Sequence, residues 1–510
     1  MKNRTAYFKR SVYYISYFLL IMTTIAGWLG ITPDSTTIKI NKVGVEQEIT
    51  GWGTSACWWS QIAGKSKNAD EFAKLLYSKE GLGLNVYRYN VGGGEKDNPN
   101  TRLPGNEWRA TESFLVYNEA TGEYEYDWNK DAAAQKMLDI CLDYGCIDTV
   151  VLFANSPHYS MTVSGSAAGG FEKAQSNLKK ECYDDFAEYF LDITEYFIDK
   201  GVPVKYISPI NEPQWDWGGG WVGQEGCHYE VDEVIEVARA FAKEIKERNL
   251  DVKLSMAESG QVGDHAMDCI DLLYADEEIA SVMGTYAYHS YWTDGKVVDK
   301  QVFGNYLKCQ YPSVEVEMSE WCELPNEHLG SDIEAGLIMA RTISEDISLT
   351  GVNSWTSWVA VNDALEKADG MIGANGDCSE YVISKRYYAM GHYTKFVPVG
   401  SHLVDSDMSV ADIEVEKAGW KDWIDYEEGY EVYNVKNHTN VSCFKTPDGD
   451  YVAVIVNEGE EKQVRFNMLT YNMSVYTTDA EKNLENTYNG KGYEKLTIGE
   501  NSITTVVFDR

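Results

Sequence analysis

The chain has 510 residues, of which 44% are hydrophobic, 13% aromatic and 24% charged, and its formal net charge is −36. That length calls for one large domain plus a smaller one, with enough apolar residues for a real core. The acidic balance and the lack of any basic run exclude nucleic acid as a partner, and argue against polyanionic substrates and attraction to anionic membrane surfaces.

Lys2, Arg4, Lys9 and Arg10 precede an uncharged, largely apolar run, 11–33. A basic head before an apolar stretch is an export-type segment, so residues 1–35 read as a signal peptide or a membrane anchor. Either one places the rest of the chain outside the cytoplasm, secreted or tethered at the surface. Residues 36–49, TTIKINKVGVEQEI, read as strand that joins a β domain formed later in the chain.

From 50 to 395 short apolar runs alternate with amphipathic ones. The strand candidates are GWGTSA (51–56), LNVYRYN (84–90), TVVLFAN (149–155), VKYISPIN (204–211), VKLSMAES (252–259), VMGTYAYH (282–289), VEVEMSE (314–320) and GVNSWTSW (351–358). Helical spacing of apolar residues marks 69–80, 132–145, 183–201, 232–249 and 332–350. Eight β-then-α units fit an α/β fold of the (β/α)8 TIM-barrel type. Long inserts, 91–128 and 156–180, follow the second and third strands, at the end of the barrel where enzymes build their sites. Beyond 395 the helical period disappears. Runs such as YVAVIVN (451–457) and SITTVVF (502–508), separated by turns, predict a side antiparallel β-sandwich over 396–510.

Ten cysteines are scattered without CxxC pairs or histidine clusters. We expect few disulfides, no metal site and no cofactor. NVGGG (90–94) lacks the Lys-Ser/Thr of a phosphate loop.

Two strand ends carry chemistry. SPINEPQWDW (208–217) places Glu212 at the lip of the fourth strand, and VEVEMSE ends the seventh on Glu320. Both open onto one bowl, with aromatic residues beside each. Two such carboxylates can flank a glycosidic bond. A gap of roughly 5–5.5 Å gives retention through a covalent intermediate, and a wider one gives inversion. Arg88, at the end of the second strand, reads either as support for a carboxylate or as an interior ion-pair partner. Trp355 and Trp358, three apart on a strand, face opposite sides, and Trp358 is taken as the ligand-facing one. Trp58, Trp59, Trp215, Trp217 and Trp221 read as sugar-stacking surfaces or as loop packing. Asn155 and Tyr159, after the third strand, are candidate subsite residues.

SPINEPQWDW and EVEMSEWCE (315–323) resemble the acid/base and nucleophile strands of the retaining glycosidases built on (β/α)8 barrels. With GWGTSACWWS (51–60), LNVYRYNVGGG (84–94), QEGCHY (224–229) and YHSYW (288–292), the chain is similar to glycoside hydrolase family 30. The resemblance covers about residue 36 to the C-terminus and lies nearest the endo-β-1,6-galactanase-like branch. It implies Glu212 as general acid/base, Glu320 as nucleophile, and Asn211 as ligand of the sugar 2-OH. It further implies that Tyr291 and Arg88 support the nucleophile, His289 lines the same wall and Trp358 is the sugar platform. The implied partner is a polysaccharide or oligosaccharide. Other family specificities (β-glucosidase, β-xylosidase, β-fucosidase, glucuronoxylanase) and a non-catalytic surface carbohydrate-binding protein are the alternatives. The sequence carries no signal for oligomeric state.

Overall fold

The computed structural model describes residues 37–220, 222–325, 327–366, 369–407, 413–417 and 433–510. The N-terminal segment 1–35 and Trp221 lie outside the described residues. Among the described residues, no helix is long and apolar enough to cross a membrane. All ten cysteines are free thiols.

Eight strands close into a parallel barrel: Gly51–Ser55, Val86–Asn90, Thr149–Phe153, Val204–Ser208, Lys253–Ser259, Met283–His289, Glu315–Glu320 and Ser354–Ser357. The ring is sealed where the eighth strand pairs with the first, from Ser354↔Gly51 to Ser357↔Thr54. Small residues make this seam. A Cβ on Gly51 would lie 2.5 Å from the Ser354 hydroxyl and 2.8 Å from a Val86 methyl. Continuous apolar runs such as Thr149–Phe153 are buried at every position, as parallel strands covered on both faces must be.

The strands lie where the sequence places them, with one informative difference. The fourth strand stops at Ser208 rather than 211. Pro209 has no N–H to continue the ladder, so Glu212 stands in the following loop. The expected helices also form. Tyr183–Asp199 buries Phe186, Phe190, Ile193 and Phe197 on one stripe, and Val231–Arg248 opens with a capping box between Glu230 and Glu233. Asp264–Ala275, Val297–Gln310 and Lys385–Thr394 are helices that the periodicity did not announce. Val297–Gln310 buries Asp299 and Lys300 among its apolar residues, which erases the amphipathic stripe. The insert after the second strand contains a hairpin, Leu115–Asn118 with Glu123–Tyr126, also not anticipated.

The second sheet has nine strands among the described residues. In order they are Glu485–Lys491, Asn472–Thr478, Ser502–Asp509, Tyr451–Asn457, Thr439–Lys445, His402–Asp407, Thr37–Glu48, Lys462–Phe466 and Leu496–Ile498. Thr37–Glu48 thus enters this sheet from the other end of the chain, beside His402–Asp407. The sheet closes over its own core, in which Phe466 and Phe508 are in edge contact at 4.9 Å. Tyr451–Asn457 shows why its sequence is apolar throughout. Tyr451, Ala453 and Ile455 face the sandwich core, while Val452, Val454 and Val456 pack on the barrel. Polar bonds add to that seam: Ser344 with Ser442 at 2.7 Å, and His392 with Thr505 and Thr478 at 2.7 and 2.8 Å.

Candidate active site

The second strand carries Arg88 into the barrel mouth, where it is 1% exposed and lies 3.6 Å over the Phe153 ring. Its Nη1 donates to Glu320 Oε2 at 2.6 Å and its Nη2 to Asn211 Oδ1 at 3.1 Å. Glu320 ends the seventh strand, and its second oxygen accepts the Tyr291 hydroxyl at 3.0 Å. Both carboxylate oxygens are therefore fixed, which aims the group before any ligand arrives.

Glu212 is placed by backbone. It has φ +43°, and its N–H donates to the Glu258 carbonyl at 2.9 Å. The Trp217 indole N–H donates to its carbonyl at 3.0 Å. Opposite its carboxylate stands Gly260, where a Cβ would lie 2.9 Å from Glu212 Oε1. His289 ends the sixth strand between the two glutamates. Its Nδ1 is 3.1 Å from Glu212 Oε1 and 3.8 Å from Glu320 Oε1. One oxygen of Glu212, one of Glu320 and one ring nitrogen of His289 all lie within 4.8 Å of one another.

A third carboxylate completes the arrangement. Glu258 is fully buried at the end of the fifth strand with φ +56°. It accepts from His289 Nε2 at 2.9 Å, from Ser208 at 2.6 Å and from the Ser319 hydroxyl, and it lies 3.6 Å from Arg88. Burial opposes its charge, but Arg88 and His289 hold its pKa down at about 2. Burial likewise disfavours charge on His289. The Glu320 charge and hydrogen bonds to Glu212 and Glu258 outweigh this and lift its pKa to about 10. That shift favours the imidazolium at neutral pH, a form in which both nitrogens donate, Nδ1 toward Glu212 and Nε2 toward Glu258. Burial raises the Glu320 pKa, His289 and Arg88 oppose it, and Glu212 adds to the rise.

The sequence reading missed Glu258, although MAES (256–259) places a glutamate one residue before its strand's end, much as MSE (318–320) places one at its end. It also left QEGCHY without a task. Glu225 is fully buried and accepts from Gly93 N at 2.9 Å, Glu95 N at 3.2 Å and Thr111 Oγ1 at 2.7 Å. It clasps the glycine-rich loop after the second strand, and at Gly93 a Cβ would meet Ala167 at 2.5 Å.

The structure brings Glu212, Glu320, Asn211, Arg88, His289 and Tyr291 together. Trp358 lies beside them, 8% exposed, with its edge on Trp58 at 5.2 Å and near Phe153 at 6.3 Å. Asn155 donates to Asn90 and to Cys57, each at 3.3 Å. Three expected ligand contacts are corrected. Trp59 is 0% exposed and donates to Ser55 O, so its ring is core, and Trp58 is the tryptophan that meets Trp358. Trp217 is buried beneath the Glu212 loop, against Gly226, and serves as its prop. Tyr159 packs on His158 at 4.3 Å and on the Tyr124 hairpin at 6.2 Å, a role in loop packing. Trp215 instead stacks parallel on Trp292 at 6.2 Å, both half-buried.

The sequence profile of O-glycosyl hydrolase family 30 matches residues 35–372. An endo-beta-1,6-galactanase of Hypocrea rufa is 22% identical over 392 residues, 72% of this chain and 76% of that protein. An exo-beta-1,6-galactobiohydrolase of Bifidobacterium longum subsp. longum is 27% identical over 222 residues, 33% of this chain and 14% of that protein. Among solved structures, a conserved exported protein from Bacteroides fragilis superposes with a TM-score of 0.77 at 24% identity, covering 92% of this chain and 100% of that one. The catalytic domain of xylanase C from Talaromyces cellulolyticus superposes at 0.69 with 16% identity, covering 93% and 100%. These superpositions show a shared fold, and the profile match extends over most of the chain: the protein belongs to O-glycosyl hydrolase family 30 and is an O-glycosyl hydrolase.

Proposed function

We propose that this enzyme is a retaining endo-β-1,6-galactanase, exported by its N-terminal segment, with Glu212 as acid/base and Glu320 as nucleophile. The observation that carries the mechanism is the approach of a Glu212 oxygen to a Glu320 oxygen, within 4.8 Å. Oxygens that approach this closely favour the short carboxylate separation of a retaining pair over the ~6.5 Å or more of an inverting one. The galactan reading is supported by relatives that bear β-1,6-galactose-cleaving names.

In the first step Glu212 gives its proton to the glycosidic oxygen while a Glu320 oxygen bonds to the anomeric carbon and the leaving chain departs. In the second, Glu212 takes a proton from water, the hydroxide attacks the same carbon, and the Glu320 ester bond breaks. Asn211 is offered to the 2-OH with its carbonyl held by Arg88, so its amide N–H₂ is the free donor. Trp358 and Trp58 provide the apolar face at which a pyranose ring stacks.

The test is a hydrolysis panel of β-1,6-galactan, β-1,6-glucan, xylan and aryl β-galactosides, with the first product anomer read by NMR. We expect galactan cleavage to mixed oligomers with retained configuration. Glu320→Ala should abolish turnover, and Glu212→Gln should lower it about 10²–10⁴-fold on unactivated substrate. Unchanged hydrolysis by Glu320→Ala would sink the mechanism, whereas xylan or glucan cleavage without galactan cleavage would sink the specificity alone.

A further inference from the structure

The hairpin inserted after the second strand stands over a cavity of about 390 Å³ that the catalytic residues do not use. Leu115, Tyr124 and Tyr126 come from the hairpin, Ser160 from the insert after the third strand, and Asp185 and Glu188 from the first turns of the helix that follows. All of these segments belong to the connections that leave the C-terminal ends of the second and third barrel strands. They therefore lie at the strand C-terminal end of the barrel, the same end as Asn211 and Glu212. The cavity and the catalytic bowl are joined through one stretch of chain: Asn155 reaches Asn90 and Cys57, and three residues on, the His158 ring meets Tyr124 at 5.5 Å.

The lining has a definite chemistry. Tyr124 is 38% exposed and Tyr126 36%, so two aromatic rings stand in solvent beside the cavity, and Tyr117 at 52% extends the same surface. Tyr126 is held rigidly, in parallel stacks with Trp128 at 4.8 Å and Tyr189 at 6.3 Å. Beside the rings stand two exposed carboxylates, Asp185 and Glu188. The Glu188 side chain makes no hydrogen bond or ion pair among the described residues. Aromatic faces take the C–H side of a sugar ring and carboxylates accept from its hydroxyls. The same carboxylates repel a uronate or sulfate group; no Lys or Arg is among the lining residues, and the Lys179 ammonium behind them is engaged with the Ser160 carbonyl at 2.8 Å.

We propose that this hairpin cavity is a second glycan-binding site that grips a neutral stretch of the polysaccharide chain away from the scissile bond. The proposal rests on the family's glycan substrates and not on the galactose specificity. By holding one part of a long chain, the site raises the local concentration of the rest at the catalytic bowl.

The test separates binding from cleavage. The Glu320→Gln protein is run in native gels containing β-1,6-galactan, β-1,6-glucan or polygalacturonate, alone and with Tyr124→Ala or Glu188→Gln added. Both added positions are exposed, and a thermal melt confirms that each double variant is folded. We expect retardation by a neutral glycan, with Kd weakened roughly threefold to tenfold by Tyr124→Ala, weakening also by Glu188→Gln, and no retardation by polygalacturonate. Equal retardation with and without both substitutions would overturn the site, as would no retardation of the parent by either neutral glycan. Polygalacturonate retardation that Tyr124→Ala weakens would overturn the neutral selectivity. Binding to galactan without its hydrolysis by the wild type would leave this site standing and defeat only the proposed specificity.

Discussion

Glu258 has no exposed surface and a φ of +56°, yet its carboxylate stays ionised and faces Arg88 and His289 together. It touches neither position where a sugar would react. Its effect passes through His289, which it helps to keep protonated between Glu212 and Glu320. The His289 pKa is raised above the usual ~6.5, so its positive charge persists through neutral pH and is lost as pH climbs through about 10. Glu258→Gln removes one of the carboxylates that raise it. We expect the pH at which the His289 ring loses its proton, read by NMR, to fall, with Glu258→Asp restoring part of it. A purely packing role would lower activity without moving that titration, and an unmoved titration would refute the assignment. Glu212 and Glu320 were legible in sequence because each follows a β run and has tryptophan within three residues after it. Glu258 obeys the same strand-end rule but has only Ala257 and Ser259 beside it. Trp58 and Trp59 show the opposite difficulty. They are adjacent, chemically equal and both buried, at 7% and 0% exposure, so only the fold shows that Trp58 is the one that meets Trp358.

Between elements, the most consequential join is the π-helical turn Asp346–Thr350, where the helix Ile333–Glu345 widens before the eighth strand. The turn carries Asp346 inward. Its carboxylate meets Lys300 Nζ at 2.7 Å, Ser290 Oγ at 2.7 Å, Trp355 Nε1 at 3.0 Å and Tyr288 OH at 3.2 Å. One residue thus ties the sixth and eighth strands to the helix Val297–Gln310. Lys300 and Asp346 both have 0% exposed side chains. Removing one partner of such a pair strands the other charge in the core, which costs about 3–5 kcal/mol. Asp346→Ala should therefore lower Tm by several degrees, and the double change Asp346→Ala with Lys300→Met should recover part of the loss. A Tm within one degree of wild type for Asp346→Ala would show that Glu345, 3.6 Å from Lys300, suffices. The period of 332–350 announced one helix and was right about its buried face. It was silent about the π turn, because inserting one residue per turn leaves the apolar pattern nearly intact while rotating Asp346 onto Lys300. The strands read more cleanly, since a fully buried parallel strand is apolar at every position and needs no phase.

Across the whole molecule, 80 acidic residues face 44 basic ones, so the folded chain repels itself at neutral pH. Three acids buried in the barrel and its loops add to this. Burial lifts the pKa of Asp131, Glu225 and Glu317 to about 7 in each case. In the unfolded chain these groups titrate near ~4. A raised folded pKa means that the native state holds protons the unfolded state has released. The stability they contribute is therefore complete below ~4 and is lost as pH rises to about 7. Glu258 has the opposite sign, and its contribution survives until pH falls toward about 2. Both trends leave a window near pH 5 in which surface repulsion has eased, the buried acids are protonated and Glu258 is still charged. Calorimetric Tm should accordingly be higher at pH 5 than at pH 8. Adding 0.5 M NaCl at pH 8 should raise it, because salt screens exposed charges within a few ångströms and leaves buried groups untouched. The pH dependence that persists in high salt belongs to the buried acids, so Glu225→Gln, which is neutral at every pH, should flatten it between pH 5 and 7. A Tm that climbs from pH 5 to pH 8 in either salt would refute the sign of the argument.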